Sequence, residues 1–587
     1  MKSHYKTLGY CLAAIILTLA ILGGRLQSIP IVYTMLGLIC FAVALVAFDK
    51  IPEKVYPYLI FSISLGLLYH VTLISPYLVG TDIHYEYYYA HLTFENGYWD
   101  YNLPYTYNAA MSVSVFVPYL AKLFHVDIEW IFKVVCPLFL AFIPVIMYLM
   151  FKKFIGNKPA FLSVFFFMSV PTFFLELTGI AKQEVGEFFL VLCLFMFVNT
   201  DTRLKTSYQM LAIFSLAILA AVSHYVMGAT VVYYLLGAIP ILLILRHVTK
   251  AQVKTSLKYL ALTILAIVVF VVPFYGLVAG GVPLHEITGR ITSQAEHLTS
   301  SPTPDTTGIA PIGKFSWTQH EPTMKVALGL DFMEVDTPGK IFRILQYITQ
   351  LLLIIGGIYL LLNWRKYSPE YLALFCLSGG LIILCIFAPG FTRILNATRF
   401  YHLALIFSAP AIILGGKLVL RNYKILTLCI LIPYFMFTSG LIFEATQQDD
   451  VSKVNIPYSL SLSATRVDVT GIYTKNDGIV RDWIVEHDKA PLSTDMWGGS
   501  FMAEKIGDFG VKSGLYYFRI GNIGDSIRTY HYIFMRERNE ILQEITFYTG
   551  IGLRQTMSYA EAGIYEALEG REVIFQSGQA KVYGPKK

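Results

Sequence analysis

The 587-residue chain is 56% hydrophobic and only 14% charged, with a mean hydropathy of +0.58, whereas a soluble domain carries about 25% charge. That balance excludes an ordinary soluble enzyme. The net charge of +6 sits on basic residues at the ends of apolar runs, which leaves no basic stripe for nucleic acid. Apolar runs fill the first 443 residues, and 444–587 read as a water-soluble sequence.

A helix needs roughly 20 apolar residues to cross the hydrocarbon core. On that criterion the expected spans are 8–24, 29–48, 55–74, 130–151, 159–175, 185–199, 207–223, 227–245, 257–279, 343–363, 370–388, 400–418 and 424–443. The start resembles a signal peptide, with Lys2 and Lys6 before an apolar run from Leu8. It reads as a retained anchor, because spans follow at once and Gly23–Gly24–Arg25 is a poor cleavage site. With the N-terminus inside, eighteen Lys and Arg fall on inside segments, among them Lys50, Lys54, Lys152, Lys153, Lys158, Arg365 and Lys366. The short outside connections carry five: Arg25, Lys122, Lys182, Arg393 and Arg399. The apolar segment 108–124 would invert every later loop if it crossed. It is expected to lie on the outer surface or to re-enter, as Pro104 and Pro118 suit a broken helix.

The expected fold class is therefore an all-α polytopic membrane bundle of about thirteen helices with a small C-terminal extracytoplasmic α/β domain. The expected domains are 1–443, with outer loops 75–129 and 280–342, and 444–587. In the tail a helix is expected from Asp477 to His487 with Trp483 on its apolar face. A strand is expected from Pro491 to Trp497 ending at Gly498–Gly499, with others at Tyr516–Phe518 and Tyr530–Phe534. A closing hairpin is expected around Ser577–Gly578. The seven cysteines all lie in apolar runs without metal-ligand spacing and read as buried apolar groups.

Charged groups beside apolar segments are costly unless paired or wet, and three outside connections concentrate them. In Gly80–Thr81–Asp82–Ile83–His84–Tyr85–Glu86, Asp82 and Glu86 stand at i and i+4, so their carboxylates share a helix face while His84 points elsewhere. The same stretch also reads as an interfacial aromatic belt with solvated acids. In Glu176–Leu177–Thr178–Gly179–Ile180–Ala181–Lys182–Gln183–Glu184–Val185–Gly186–Glu187, a lone Lys182 stands among three acids. Local ion pairs in a short loop are the plain alternative there. Arg393 and Arg399, followed by Phe400–Tyr401–His402, run against the charge bias. An anion at the outer interface would explain both arginines, as would snorkelling toward lipid phosphate. His224, in Ser223–His224–Tyr225, is a weaker candidate. Asp331, Glu334 and Asp336 read as solvated. There is no P-loop, HExxH, GxSxG or kinase signature, which argues against an ATP-driven pump and the common hydrolases.

Together these features resemble the GT-C glycosyltransferases, and more narrowly a mostly archaeal group of GT-C-like predicted membrane proteins. The stretches carrying the likeness are "TDIHYEYYYA", "KQE", "SHY" and "TRFYHL…AP". The resemblance implies sugar transfer from a polyprenyl-phosphate carrier to a glycan, lipid or protein acceptor on the extracytoplasmic face of the cell membrane. It carries the family's acid of the first outer loop onto Asp82, its second outer loop onto Lys182–Gln183–Glu184, and its late arginine onto Arg399. The expected roles are Asp82 as base with Glu86 or Glu184 as helper, and Arg399 with Lys182 or Arg393 on the donor phosphate. His84, His224, Tyr401 and His402 are accessory candidates. The sequence at Asp82 reads Asp–Ile–His and not DxD. The metal is thus left open, with a divalent cation (Mg or Mn) on Asp82, His84 and Glu184 as the arrangement considered. The alternative is a lipid-linked glycan flippase or permease without transferase activity, and a third reading is an envelope scaffold whose tail binds partners.

Overall fold

Each expected span forms a helix. The computed structural model describes residues 2–199, 205–248, 253–286, 288–289, 292, 322–388, 391, 395–446, 471–507, 514–518, 527–550 and 553–586. Most of the expected loop 280–342 and the segment 447–470 lie outside the described residues. Among the described residues, ten helices are long and apolar enough to cross a membrane, or eleven counting one bent pair. This makes the chain a multi-pass membrane protein with a bundle core. The bent pair is Asn157–Met168 with Thr172–Gly179, turned by 56° where Pro171 supplies no N–H to the ladder. Two expected spans fall short of the criterion for physical reasons. Ala181–Val198 carries Lys182, Glu184 and Glu187 in its first two turns, and Tyr423–Thr438 is shorter.

The connections sort into two layers at opposite ends of the bundle. At one end Asn157 Nδ2 donates to Glu53 Oε2 at 2.6 Å, Lys158 pairs with Asp49, and Lys424 lies 5.0 Å from the Phe48 ring. These are loops read as inside. At the other end Gln27 Nε2 donates to the Ile74 carbonyl at 2.8 Å, Ala279 N to the Tyr101 carbonyl at 2.7 Å, and Ser75 Oγ to the Tyr473 carbonyl at 2.9 Å. The segment Ser112–Phe124 is a short apolar helix, about 20 Å long at 1.5 Å per residue and too short to cross. Both its ends touch the second layer. Ser112 Oγ donates to the Ser223 carbonyl at 3.2 Å, and Lys122 Nζ lies 5.1 Å from the Phe94 ring.

Among the described residues, all strands lie in the tail. They form a five-stranded sheet of order β2-β1-β3-β7-β6, from Leu492–Thr494 (β1), Leu515–Tyr517 (β2), Tyr532–Met535 (β3), Val573–Ser577 (β6) and Ala580–Tyr583 (β7). β1 runs parallel to β2 and β3, while β7 is antiparallel to β3 and β6. A separate hairpin pairs Glu544–Gly550 (β4) with Leu553–Ser558 (β5). The helix Lys475–Glu486 starts at a capping box of Thr474 and Asp477. Trp483 stacks on Phe575 at 4.5 Å, as the expected apolar face requires.

Two expectations are corrected here. The strand from Pro491 is only Leu492–Thr494, because Asp495 Oδ1 accepts from Gly498 N at 2.7 Å and starts a helix, Met496–Ile506, that absorbs both glycines. Of the three acids read as solvated, Asp331 is fully buried. It takes a two-pronged contact from Arg343, with Nε to Oδ1 and Nη2 to Oδ2 both at 2.8 Å. Fully buried carboxylates are found paired because an isolated one is too costly.

Candidate active site

The first of the loops expected to lie outside is brought against the second by two glycines. Gly80 has φ +131°, outside the range of L side chains, and a Cβ there would lie 2.8 Å from Gly179 Cα. This backbone contact sets Thr81–Asp82 beside Ala181–Lys182. Asp82 then opens the helix Asp82–Asn96, where the N-terminal end of the helix dipole favours a carboxylate.

Asp82 and Glu86 do share a face, and Lys182 enters between them. Its Nζ lies 2.7 Å from Glu86 Oε1 and 3.4 Å from Asp82 Oδ2, and its backbone N donates to Glu86 Oε2 at 3.2 Å. The ammonium also stands 4.2 Å from the centre of the Tyr107 ring. Glu86 is sealed, while the Asp82 side chain keeps 32% of its surface exposed. One cation thus serves two carboxylates, and the surplus negative charge faces outward on Asp82. Burial pushes the Asp82 carboxyl upward. The charges of Lys182 and Arg399, with hydrogen bonds from Lys182 and Tyr107, outweigh it and hold the group below the usual carboxylate range. At Glu86 burial wins over Lys182 and the carboxyl is raised. Burial, then the charge of Asp82, pushes the Tyr107 hydroxyl well up, so it stays a donor.

Arg399 comes from the first turn of the helix Ala397–Leu420. Its Nε donates to Glu176 Oε1 at 2.7 Å, and Thr398 Oγ1 donates to Glu176 Oε2 at 2.7 Å. Glu176 ends the wide helical turn Thr172–Glu176 that follows the break at Pro171. Arg399 and Glu176 keep 18% and 25% of their side-chain surface exposed. With Asp82 they form a partly open, alternating row of acid, cation and acid, drawn from three distant stretches of chain.

Behind this row lies a sealed polar layer. His402 Nε2 is 2.8 Å from Glu187 Oε1, and both side chains are fully buried. Gln183 Nε2 donates to Glu187 Oε2 at 3.3 Å, and the Phe167 ring packs on His402 at 4.5 Å. Glu184 is buried, and its Oε1 has no hydrogen-bond partner among the described residues.

Other candidates go elsewhere. His84 Nδ1 lies 2.7 Å from Glu504 Oε1 in the tail, and Arg481 Nη1 donates to the other oxygen of Glu504. The arrangement of a cation on Asp82, His84 and Glu184 is corrected by this geometry. No group of three metal-ligating side chains forms among the described residues, since His84 is turned to the tail and Asp82 to Lys182. His224 is buried beside Gly186 and stacks on Tyr225 at 5.1 Å. Tyr401 is half-buried two residues after Arg399. Arg393 lies outside the described residues. Sequence reasoning missed Glu176 as a site residue, although it opens the quoted second stretch. It also missed Tyr107 and Glu504, for which no local pattern gives a signal.

The His84–Glu504–Arg481 contact joins the tail to the membrane domain and carries a pH signature. Burial alone would raise the Glu504 carboxyl, but the hydrogen bond and charge of His84 and the charge of Arg481 lower it. A lowered carboxyl contributes stability above its unfolded value of about 4.3, which is lost as pH falls through the folded value. Glu504→Gln is expected to cost about 3–5 kcal/mol locally and to make the tail cleavable by protease at neutral pH. A tail equally resistant in wild type and variant would contradict the contact.

None of the curated proteins compared with the chain matches it. Among solved structures, the apo oligosaccharyltransferase of Archaeoglobus fulgidus aligns at 14% identity and TM-score 0.46, covering 84% of this chain and 70% of that one. The same protein with zinc and sulfate gives 15% and 0.43, covering 82% and 68%. Apo ArnT of Cupriavidus metallidurans gives 12% and 0.35, covering 89% and 97%. Similarity at this level assigns no residue. A family model described as predicted membrane protein (DUF2206) matches residues 207–583, more than half of the chain, and the chain belongs to that family.

Proposed function

We propose that the chain is a GT-C-type membrane glycosyltransferase that moves a sugar from a polyprenyl-phosphate donor to an acceptor on the extracytoplasmic face. The observation that carries this reading is the row Asp82–Lys182–Arg399–Glu176. It pairs a partly exposed, ionised carboxylate with a partly exposed guanidinium at one end of the bundle. The excess of basic residues on the opposite loops supports that end as the outer one.

In this reading the acceptor hydroxyl or amide attacks C1 of the sugar. Its proton passes to Asp82, and the bond from C1 to the phosphate oxygen breaks with inversion. Charge grows on the leaving phosphate as that bond lengthens, and Arg399 faces it with the guanidinium edge that Glu176 leaves unused. Lys182 is assigned a different role from direct phosphate binding. It is 6% exposed and held by two carboxylates, so it fixes the position and ionisation of Asp82. Glu86 anchors Lys182. The three-residue arrangement of Asp82, His84 and Glu184 does not form a cation site, since His84 is committed to Glu504 and Lys182 already contacts Asp82 and Glu86. No step is routed through a divalent cation.

Arg399→Ala tests the donor half. It is expected to raise KM for the prenyl-phosphate sugar about tenfold or more, as loss of a charge-assisted contact worth about 1.5–3 kcal/mol implies. The rate at saturating donor should fall further through the leaving phosphate. Initial rates in proteoliposomes measure both. Unchanged kinetics would remove Arg399 from the site, and lipid scrambling without any sugar transfer would favour a flippase.

A further inference from the structure

A second cleft, none of whose lining residues belongs to the Asp82 row, lies between the tail and the outer ends of the first helices. It encloses about 950 Å³. Arg25 is the last residue of the first helix, so the cleft sits at the level where the chain leaves the apolar layer. Ile29 and Trp130 line it from the membrane domain, and Lys475, Arg538 and Ile541 line it from the tail. Ile541 is 63% exposed and Trp130 40%, so apolar surface lies open beside the grouped cations.

The charge inside is one-sided. Four cations line the cleft, Arg25, Lys133, Lys475 and Arg538, against one acid, Glu537. That acid is engaged inside the tail, accepting from Asn476 Nδ2 at 2.8 Å and Gln579 N at 3.3 Å. Lys133 is used by Glu129 and by the carbonyls of Ser75 and Pro76, at 3.0 and 2.6 Å. Arg25 and Lys475 are exposed and have no carboxylate partner among the described residues. Arg25 stands over Trp130 at 5.1 Å, near enough to Lys133 for their charges to repel. Like charges collected around an apolar floor at the bilayer boundary are complementary to an anion that carries hydrocarbon.

We propose that this cleft binds the phosphate headgroup of an anionic bilayer phospholipid. Arg25, Lys475 and Arg538 surround the phosphate, and Ile29, Trp130 and Ile541 contact the glycerol and upper acyl carbons. Because the cations come from both parts of the chain, the lipid clamps the tail onto the membrane domain. This site is independent of the transferase reading.

Native mass spectrometry of the full chain in detergent, titrated with phosphatidylglycerol or phosphatidylcholine, tests it. Wild type is expected to retain phosphatidylglycerol at least tenfold more tightly. The triple variant Arg25→Gln, Lys475→Gln, Arg538→Gln should lose that preference, and the charge-keeping triple Arg25→Lys, Lys475→Arg, Arg538→Lys should keep most of it. Inorganic phosphate at matched concentration should fail to displace the lipid. Equal retention of both lipids, an unchanged preference in the glutamine triple, or displacement by free phosphate would each overturn the proposal.

Discussion

Asp82→Asn is expected to lower the rate of sugar transfer by about 10²–10⁴-fold, the usual contribution of a positioned base, with little change in KM for the donor. The substitution is nearly isosteric and keeps an oxygen toward Lys182, so the 3.4 Å contact and the fold around it persist. The sign of the pH dependence follows from the same contacts. Lys182, Arg399 and Tyr107 hold the Asp82 carboxyl below the usual carboxylate range against the upward push of burial. The base is therefore ionised through the whole neutral range. The acid limb of its activity should fall below about pH 3.9, the ordinary aspartate value, and no loss of the base should appear between pH 5 and 7. The ion pair's stabilisation is likewise present above that ordinary value and lost as pH drops through the folded one. Glu86→Gln should behave differently. It removes the inner partner of Lys182, frees the ammonium to turn fully to Asp82, and lowers stability as well as rate.

A large expected effect on stability lies far from the chemistry, inside the bundle. The helices Thr337–Leu362 and Ala397–Leu420 meet backbone to backbone at two glycines. A Cβ on Gly356 would stand 1.7 Å from the Ala411 carbonyl oxygen, and one on Gly415 would stand 2.1 Å from that of Leu352. Small residues allow such close approach, and van der Waals contact is what drives helix association in lipid. Gly356→Ala forces the helices apart, because the clash is with backbone that cannot rotate away. Overpacking of this kind costs about 1–3 kcal/mol and sometimes more, and Gly356→Ala with Gly415→Ala should exceed either alone. Gly379, in the helix Pro369–Phe387, has nothing within 4 Å of an added Cβ. Gly379→Ala should thus be neutral or slightly stabilising. Thermal unfolding in detergent compares the three. Equal melting temperatures would show that the close crossing is absent. Since Arg399 begins the displaced helix, the Gly356 variant should also weaken donor binding.

What the sequence made legible was whatever depends on near neighbours. Apolar length announced the spans, and i,i+4 spacing put Asp82 and Glu86 on one face. Charge bias kept 108–124 from being read as a crossing helix. What stayed hidden depends on distant partners. Lys182 finds its acids 96 and 100 residues away, and Glu504 meets His84 across 420, with no local pattern to connect them. Asp331 looked solvated because it precedes a span, yet Arg343 inside that span draws it into the interior. Gly498–Gly499 looked like a strand end because glycine often punctuates strands. The Asp495 cap decided for a helix. The β4–β5 hairpin was overlooked; Ile545, Thr546 and Phe547 are all buried in it, so it lacks the half-buried alternation that marks a strand in sequence.

Sealed vesicles holding the full chain with its tail outward, supplied with a prenyl-phosphate sugar in the outer leaflet, offer the most direct test. The quantity to follow is release of prenyl phosphate together with transfer of labelled sugar to acceptor. Equimolar release and transfer by wild type, both lost in Asp82→Asn and rescued by neither higher donor nor higher acceptor, is the predicted result. Transfer that proceeds undiminished without the carboxylate at position 82, or that needs the donor in the inner leaflet, would contradict it.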